Sequence, residues 1–85
     1  MTTQRANINA QDSALRHQLA EAILERAKER GLKDTEAAQR LGIVKQSYSV
    51  LKTGADKISL SKLVEYADRI GLEVELSITP RNITA

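Results

Sequence analysis

From Lys45 to Val50 the chain reads KQSYSV, and here its short polar side chains gather in a form that suits specific recognition chemistry. Lys45 can donate to the O6 and N7 acceptors of guanine, and Gln46 can pair with N6 and N7 of adenine. Ser47 and Ser49 are short enough to let a helix approach a base edge closely, and Val50 carries methyl groups that fit against the methyl of thymine. Lysine donates as a point charge rather than a planar fork, so it discriminates between bases less sharply than arginine. Around this run stand Lys33, Thr35, Lys52, Thr53 and Lys57, whose ammonium and hydroxyl groups suit phosphate oxygens. Such contacts position a protein on a duplex without specifying its sequence. The competing reading of each lysine is a solvated surface charge.

Other chemistries lack their parts. The 85 residues include no cysteine and one histidine, His17, so no thiolate or histidine cluster is available for a metal, and no cofactor is expected. No nucleophile has a plausible base beside it, and no carboxylate pair falls in an apolar stretch, which argues against an enzyme. His17 is expected to be exposed and idle. No apolar run approaches the ~20 residues of a membrane span, and the N-terminus lacks an apolar signal segment, so a soluble cytoplasmic protein is expected.

The candidate readers need a rigid mount. Residues 34–54 read as two short helices hinged at Gly42, with apolar positions at Ala37, Ala38, Leu41, Ile43, Tyr48 and Leu51. Isolated helices shorter than roughly 12–15 residues are marginal in water, so these positions must pack on each other and on neighbouring helices. Ala37 and Ala38 are small where the second helix must approach. Gly42 falls where the chain needs a positive φ to turn sharply. This geometry turns Lys45, Gln46, Ser47, Ser49, Val50 and Lys52 outward, as in a helix-turn-helix that enters a DNA major groove.

The Ala pair, the Gly, the aliphatic residue after it, a bulky apolar residue six positions past the Gly and a closing Leu-x-x-Gly resemble the helix-turn-helix of the Xre/Cro phage-repressor family. The longer run LKDTEAAQRLG…SLSKLVEYADRIGLEVELSITP is similar to the HigA-like antitoxin branch of that family, a resemblance covering about residues 14–80. It implies a dimer closed by a C-terminal strand, repression of its own promoter, and neutralisation of a co-expressed mRNA-cleaving toxin. Four positions depart from the family pattern. Lys33-Asp34 stand where Thr-Gln is usual, and that Gln contacts phosphate and positions base contacts. Val44 stands where Ser is common, leaving the second helix without a good side-chain N-cap. Tyr48 is larger than the usual aliphatic residue.

The rest of the chain is read in order. Residues 1–11 are polar and without period, and are expected to form a mobile arm. Asp12 or Ser13 can cap a helix running to Arg30, with Leu15, Leu19, Ile23 and Ala27 recurring every fourth residue, widened by Ala22 and Leu24. Asp34 is expected to cap the helix 35–41, and helix 45–53 follows, ending at Gly54. Ser59 suits the N-cap of helix 60–70, whose core face is expected to be Leu60, Leu63, Val64, Ala67 and Ile70. Ile58 and Leu63 have the spacing of a hydrophobic staple. Tyr66 falls at the edge of that face. All four glycines fall just past expected helix ends.

After Gly71 the period changes to two, and Leu72, Val74, Leu76 and Ile78 alternate with polar residues over 72–79. This is one strand, and no obvious second strand exists to pair with it. The same strand from a second copy, antiparallel about a two-fold axis, is the economical partner. The alternatives are a strand lying along its own helices or paired with the N-terminal arm. Residues 81–85 follow as a tail.

The formal net charge of +2 is too small to argue for nucleic acid by itself, but it is unevenly distributed. Residues 31–62 carry six basic against three acidic side chains, and residues 63–85 carry two against four. The expected molecule is therefore an all-α, four-helix, phage-repressor-like domain (residues 12–80) with one C-terminal strand, dimeric and bound to a palindromic operator. A small ribonuclease-type toxin is the further partner that the resemblance implies. The alternatives are a standalone regulator of the same fold, and a protein-binding module that has lost DNA contact.

Overall fold

Leu15, Leu19, Ile23 and Ala27 lie four residues apart and are all buried on one face of α1 (Asp12–Glu29), the longest helix of the domain. The computed structural model describes residues 4–9 and 12–77, with side chains over 12–75. α2 (Asp34–Leu41) and α3 (Lys45–Thr53) follow, then a single 3₁₀ turn (Ala55–Lys57) and α4 (Leu60–Arg69). β2 (Leu72–Ser77) closes the described chain. Ile78 and Thr79, expected to continue that strand, lie outside the described residues.

The helices enclose one core. Leu19, Ile23, Leu41, Leu51, Leu63 and Ile70 are fully buried, each stabilising the fold by about 1.5–3 kcal/mol. α1 packs on α4, α2 on α3, and α1 also meets α3 and the 3₁₀ turn. Ile43, Ile58 and Leu60 are partly buried against this core. Ser59 caps α4 as expected, its Oγ accepting from the Lys62 N–H at 3.3 Å.

On α4 one expectation is corrected. The buried positions are Leu63, Tyr66, Ala67 and Ile70, an i, i+3, i+4, i+7 stripe, which turns Val64 outward at 41% exposure. Tyr66 takes the place in the core that the sequence pattern assigned to Val64. Leu63 and Val64 are about 100° apart on the helix, and it is the packing of α4 against α1 that centres the buried stripe on Leu63, Tyr66, Ala67 and Ile70.

Residues 1–11 were expected to form a mobile arm, and six of them are described. Gln4–Asn9 form a strand, β1, that pairs with β2. The pairing is parallel and in register from Gln4 opposite Leu72 to Asn9 opposite Ser77. Parallel strands need a long crossover, and here the entire helical body serves as one. The C-terminal strand thus has a partner within its own chain, and of the pairings considered it is the N-terminal one that forms. The sheet has two strands, and no third strand lies beside either of them among the described residues.

Candidate nucleic-acid interface

The site is assembled from the end of α2. Gly42 adopts φ 73°, its N–H donating to the Gln39 carbonyl at 3.0 Å while the Ile43 N–H donates to the Ala38 carbonyl at 2.9 Å. These two crossed bonds reverse the chain and satisfy carbonyls that the helix leaves unpaired. A third is met from outside the pair, where the Arg69 guanidinium of α4 donates to the Leu41 carbonyl at 2.6 Å and to Glu65 Oε1 at 2.7 Å. The turn between the two helices is therefore tied to the scaffold by both backbone and side chain.

Ala37 and Ala38 are buried, leaving room for α3 to pack closely, and α3 anchors itself through Tyr48 and Leu51. With positions 48 and 51 turned inward, Lys45, Gln46, Ser49, Val50, Lys52 and Thr53 are exposed. Four of the five expected base-reading residues thus share an open surface. Ser47, the fifth, is half-buried and lines a groove with Val50, Lys57, Ile58, Ser59 and Tyr66. The groove also includes Lys62, a cation that is not among the expected phosphate contacts. Its signal was present in the sequence, since a residue three positions after the Ser59 cap sits in the first turn of α4, beside the loop that carries Lys57.

Residue 44 occupies the N-cap of α3 in extended conformation, with no side-chain capping bond, as the Val at that position implies. Its side chain is 62% exposed.

The expected phosphate contacts divide into two groups. Lys33, Thr35 and Lys57 are exposed. Lys52 and Thr53 are exposed but already engaged: Lys52 Nζ donates to Asp34 Oδ2 at 2.8 Å, and Thr53 Oγ1 donates to the Ser49 carbonyl at 3.0 Å. The hydrogen bond to Asp34, and then its negative charge, hold the Lys52 ammonium above its ordinary 10.5. Burial, and then the charge of Asp34, raise the Tyr48 phenol above its ordinary 10.0, with Lys52 partly opposing.

Asp34 was expected as the N-cap of α2, but the cap is Lys33 and Asp34 begins the helix proper. A lysine side chain has no acceptor, so only half of a capping box forms. The Glu36 carboxylate accepts from the Lys33 backbone N–H at 2.9 Å. Two carboxylates in the first turn complement the helix dipole, and they also oppose a phosphate at that end.

His17 is not idle. Its Nε2 lies 3.0 Å from Asp56 Oδ1, and Arg16 donates to the Asp56 carbonyl at 2.9 Å. Two side chains of α1 therefore hold the 3₁₀ turn from which Lys57 projects.

The expected dimerisation residues lie away from α3, along β2. Leu72 is buried in the core of its own chain and Val74 packs partly against it. The Leu76 side chain and all of Ile78 lie outside what is described.

A family model described as a helix-turn-helix domain matches residues 4–79, nearly the whole chain and both strands with it. No curated protein and no solved structure matches.

Proposed function

The chain belongs to this helix-turn-helix domain family, and from that premise we propose that it is a sequence-specific DNA-binding transcriptional regulator, a two-fold dimer that represses its own promoter as the antitoxin of a type II toxin–antitoxin pair. The observation that carries the DNA-binding reading is the outward face of α3. Lys45, Gln46, Ser49 and Val50 are exposed together on a helix held by buried Tyr48 and Leu51. A helix presented in this way can enter a major groove with its N-terminal residues against base edges. Lys57, Lys62 and Lys33 flank it as phosphate contacts.

Base reading and phosphate binding separate by experiment. Operator sequences are first selected from random duplexes, and variants are then titrated on matched and mismatched sites over a range of salt. Gln46→Ala relaxes preference at one base pair of each half-site, costing about 1–3 kcal/mol there. Lys57→Ala weakens all sequences alike and lowers the salt slope by about one per site. An equal loss on every sequence for Gln46→Ala removes α3 from the role of reader.

The dimer is supported by the position of β2 in the sheet, where no third strand lies beside it among the described residues, so that its outer side suits a strand from a second copy. Since Leu72 is turned into its own core, that edge offers backbone pairing rather than the Leu72 side chain. The toxin is supported by charge: Glu65, Asp68, Glu73 and Glu75 are exposed on α4 and β2 and suit a basic partner. Purification from the native host with mass identification of small co-purifying proteins tests it. Recovery of the homodimer alone, with no growth defect on depletion, leaves a standalone regulator.

A further inference from the structure

Val44, the N-cap of α3, is the most exposed large hydrophobic side chain among the described residues, at 62%; of the other two, Val64 (41%) lies on α4 and Val50 (37%) on α3. Single exposed valines are ordinary on protein surfaces, but Val44 sits at a position with a cost attached. It is the N-cap of α3, where Ser, Thr, Asp or Asn would satisfy a free backbone N–H and typically stabilise the helix. The structure shows no capping bond from its side chain. An exposed apolar group therefore stands where a cap would, at the N-terminal end of α3.

Resting on the DNA-binding reading above, we propose that Val44 and Val50 are a pair of thymine-methyl readers, so that each half-site carries a 5-methylpyrimidine at two separate base pairs. A valine has no donor or acceptor, and the group it can recognise in a major groove is the C5 methyl. Val50 lies five positions beyond Lys45, about 7.5 Å along the helix at 1.5 Å per residue, and Val44 precedes Lys45 in extended conformation. That exceeds one base-pair step of about 3.4 Å, so they meet different pairs. Between them Lys45, Gln46 and Ser49 supply the hydrogen bonds, and Lys57 and Lys62 beside Val50 supply the charge that brings a polyanion onto this surface. The valines add shape selection to a face whose polar readers are few.

The test removes only the methyl. Duplexes are selected for binding, and each thymine is replaced in turn by deoxyuridine, which keeps every hydrogen-bonding group. The wild-type protein is expected to lose about fourfold in affinity at each of two thymines per half-site, the worth of one buried methyl. Val44→Ala abolishes the difference at one of these positions and Val50→Ala at the other. Val44→Ser restores a capping side chain, so it keeps or raises thermal stability while still losing the discrimination. This separates recognition from a merely structural role. Sequence-selective binding that is indifferent to deoxyuridine at every thymine overturns the methyl reading and leaves the DNA-binding role intact. Absence of any sequence preference overturns both.

Discussion

Asp34 concentrates the residue-scale logic of the interface. It stands at the start of α2 and its carboxylate takes a hydrogen bond from Lys52, an exposed cation of α3, the helix proposed to read bases. A phosphate approaching Lys52 must compete with a carboxylate already in place. Asp34→Asn removes the competitor and one like charge. The expected result is tighter binding to all duplexes alike, with the salt slope steeper by about one, as titrations at several ionic strengths will read. A variant whose affinity rises on one sequence only would place Asp34 in base recognition instead. The same cluster sets an alkaline limit. The folded-state values of Tyr48 and Lys52 both lie above their ordinary 10.0 and 10.5, so their contribution to stability is complete below that range. It is lost as pH rises through the folded values, because the unfolded chain releases those protons first. Urea midpoints should be insensitive to these two groups near neutrality and fall above about pH 10, and Tyr48→Phe should lessen that fall.

At the scale of elements, the helix pair is set by the bond network around Gly42, not by helix propensity. Its φ of 73° is a conformation that costs an L-residue about 1–2 kcal/mol, and a Cβ placed there would lie 2.9 Å from the Arg69 guanidinium. That guanidinium is the group bonded to the Leu41 carbonyl, so displacing it also frees a helix-end acceptor. Gly42→Ala is expected to destabilise by about 2 kcal/mol or more in chemical unfolding. Gly54 looks equivalent in sequence, one place past α3, but it has φ −142° and an added Cβ would make only ordinary contacts at 3.6 Å. Gly54→Ala should therefore change stability by no more than about 0.5 kcal/mol. Equal losses at both sites would mean that the positive φ at Gly42 is not what that glycine is for.

At the scale of the whole molecule, the two ends of the chain meet in one small sheet on the helical body, with β1 packing on α1 and β2 on α4. Dimerisation and folding are separable here because the two strands have different roles in the proposed assembly. Deleting residues 1–9 strips β2 of its internal partner and should lower stability by about 2 kcal/mol, after allowing for the entropy regained, while leaving a dimer. Truncation after residue 71 removes the edge itself and should give a monomer with much weaker operator affinity, since only one recognition helix then binds. Sedimentation of both chains at micromolar concentration decides it. A truncated protein that stays dimeric would move the interface off the strand.

What the sequence alone determined is whatever depends on local chemistry. The helix ends followed from the glycines and the start of α4 from its Ser59 cap, α1 and the α2–α3 pair from apolar spacing, and most of the exposed set on α3 from the positions of Tyr48 and Leu51; the start of α2 did not, since Lys33 and not Asp34 is its N-cap. Tertiary structure decided the rest. QRANIN has two apolar residues and asparagines that disfavour strands, so nothing local marks it as β1. It becomes a strand because β2, far away in sequence, offers it an edge. Val64 and Tyr66 exchanged places because the core stripe of α4 is chosen by the helix it packs on. Lys52 met Asp34, and His17 met Asp56, across 18 and 39 positions of chain that no periodicity connects. Partnership over such distances is a property of the folded arrangement, where burial and charge are set by neighbours in space.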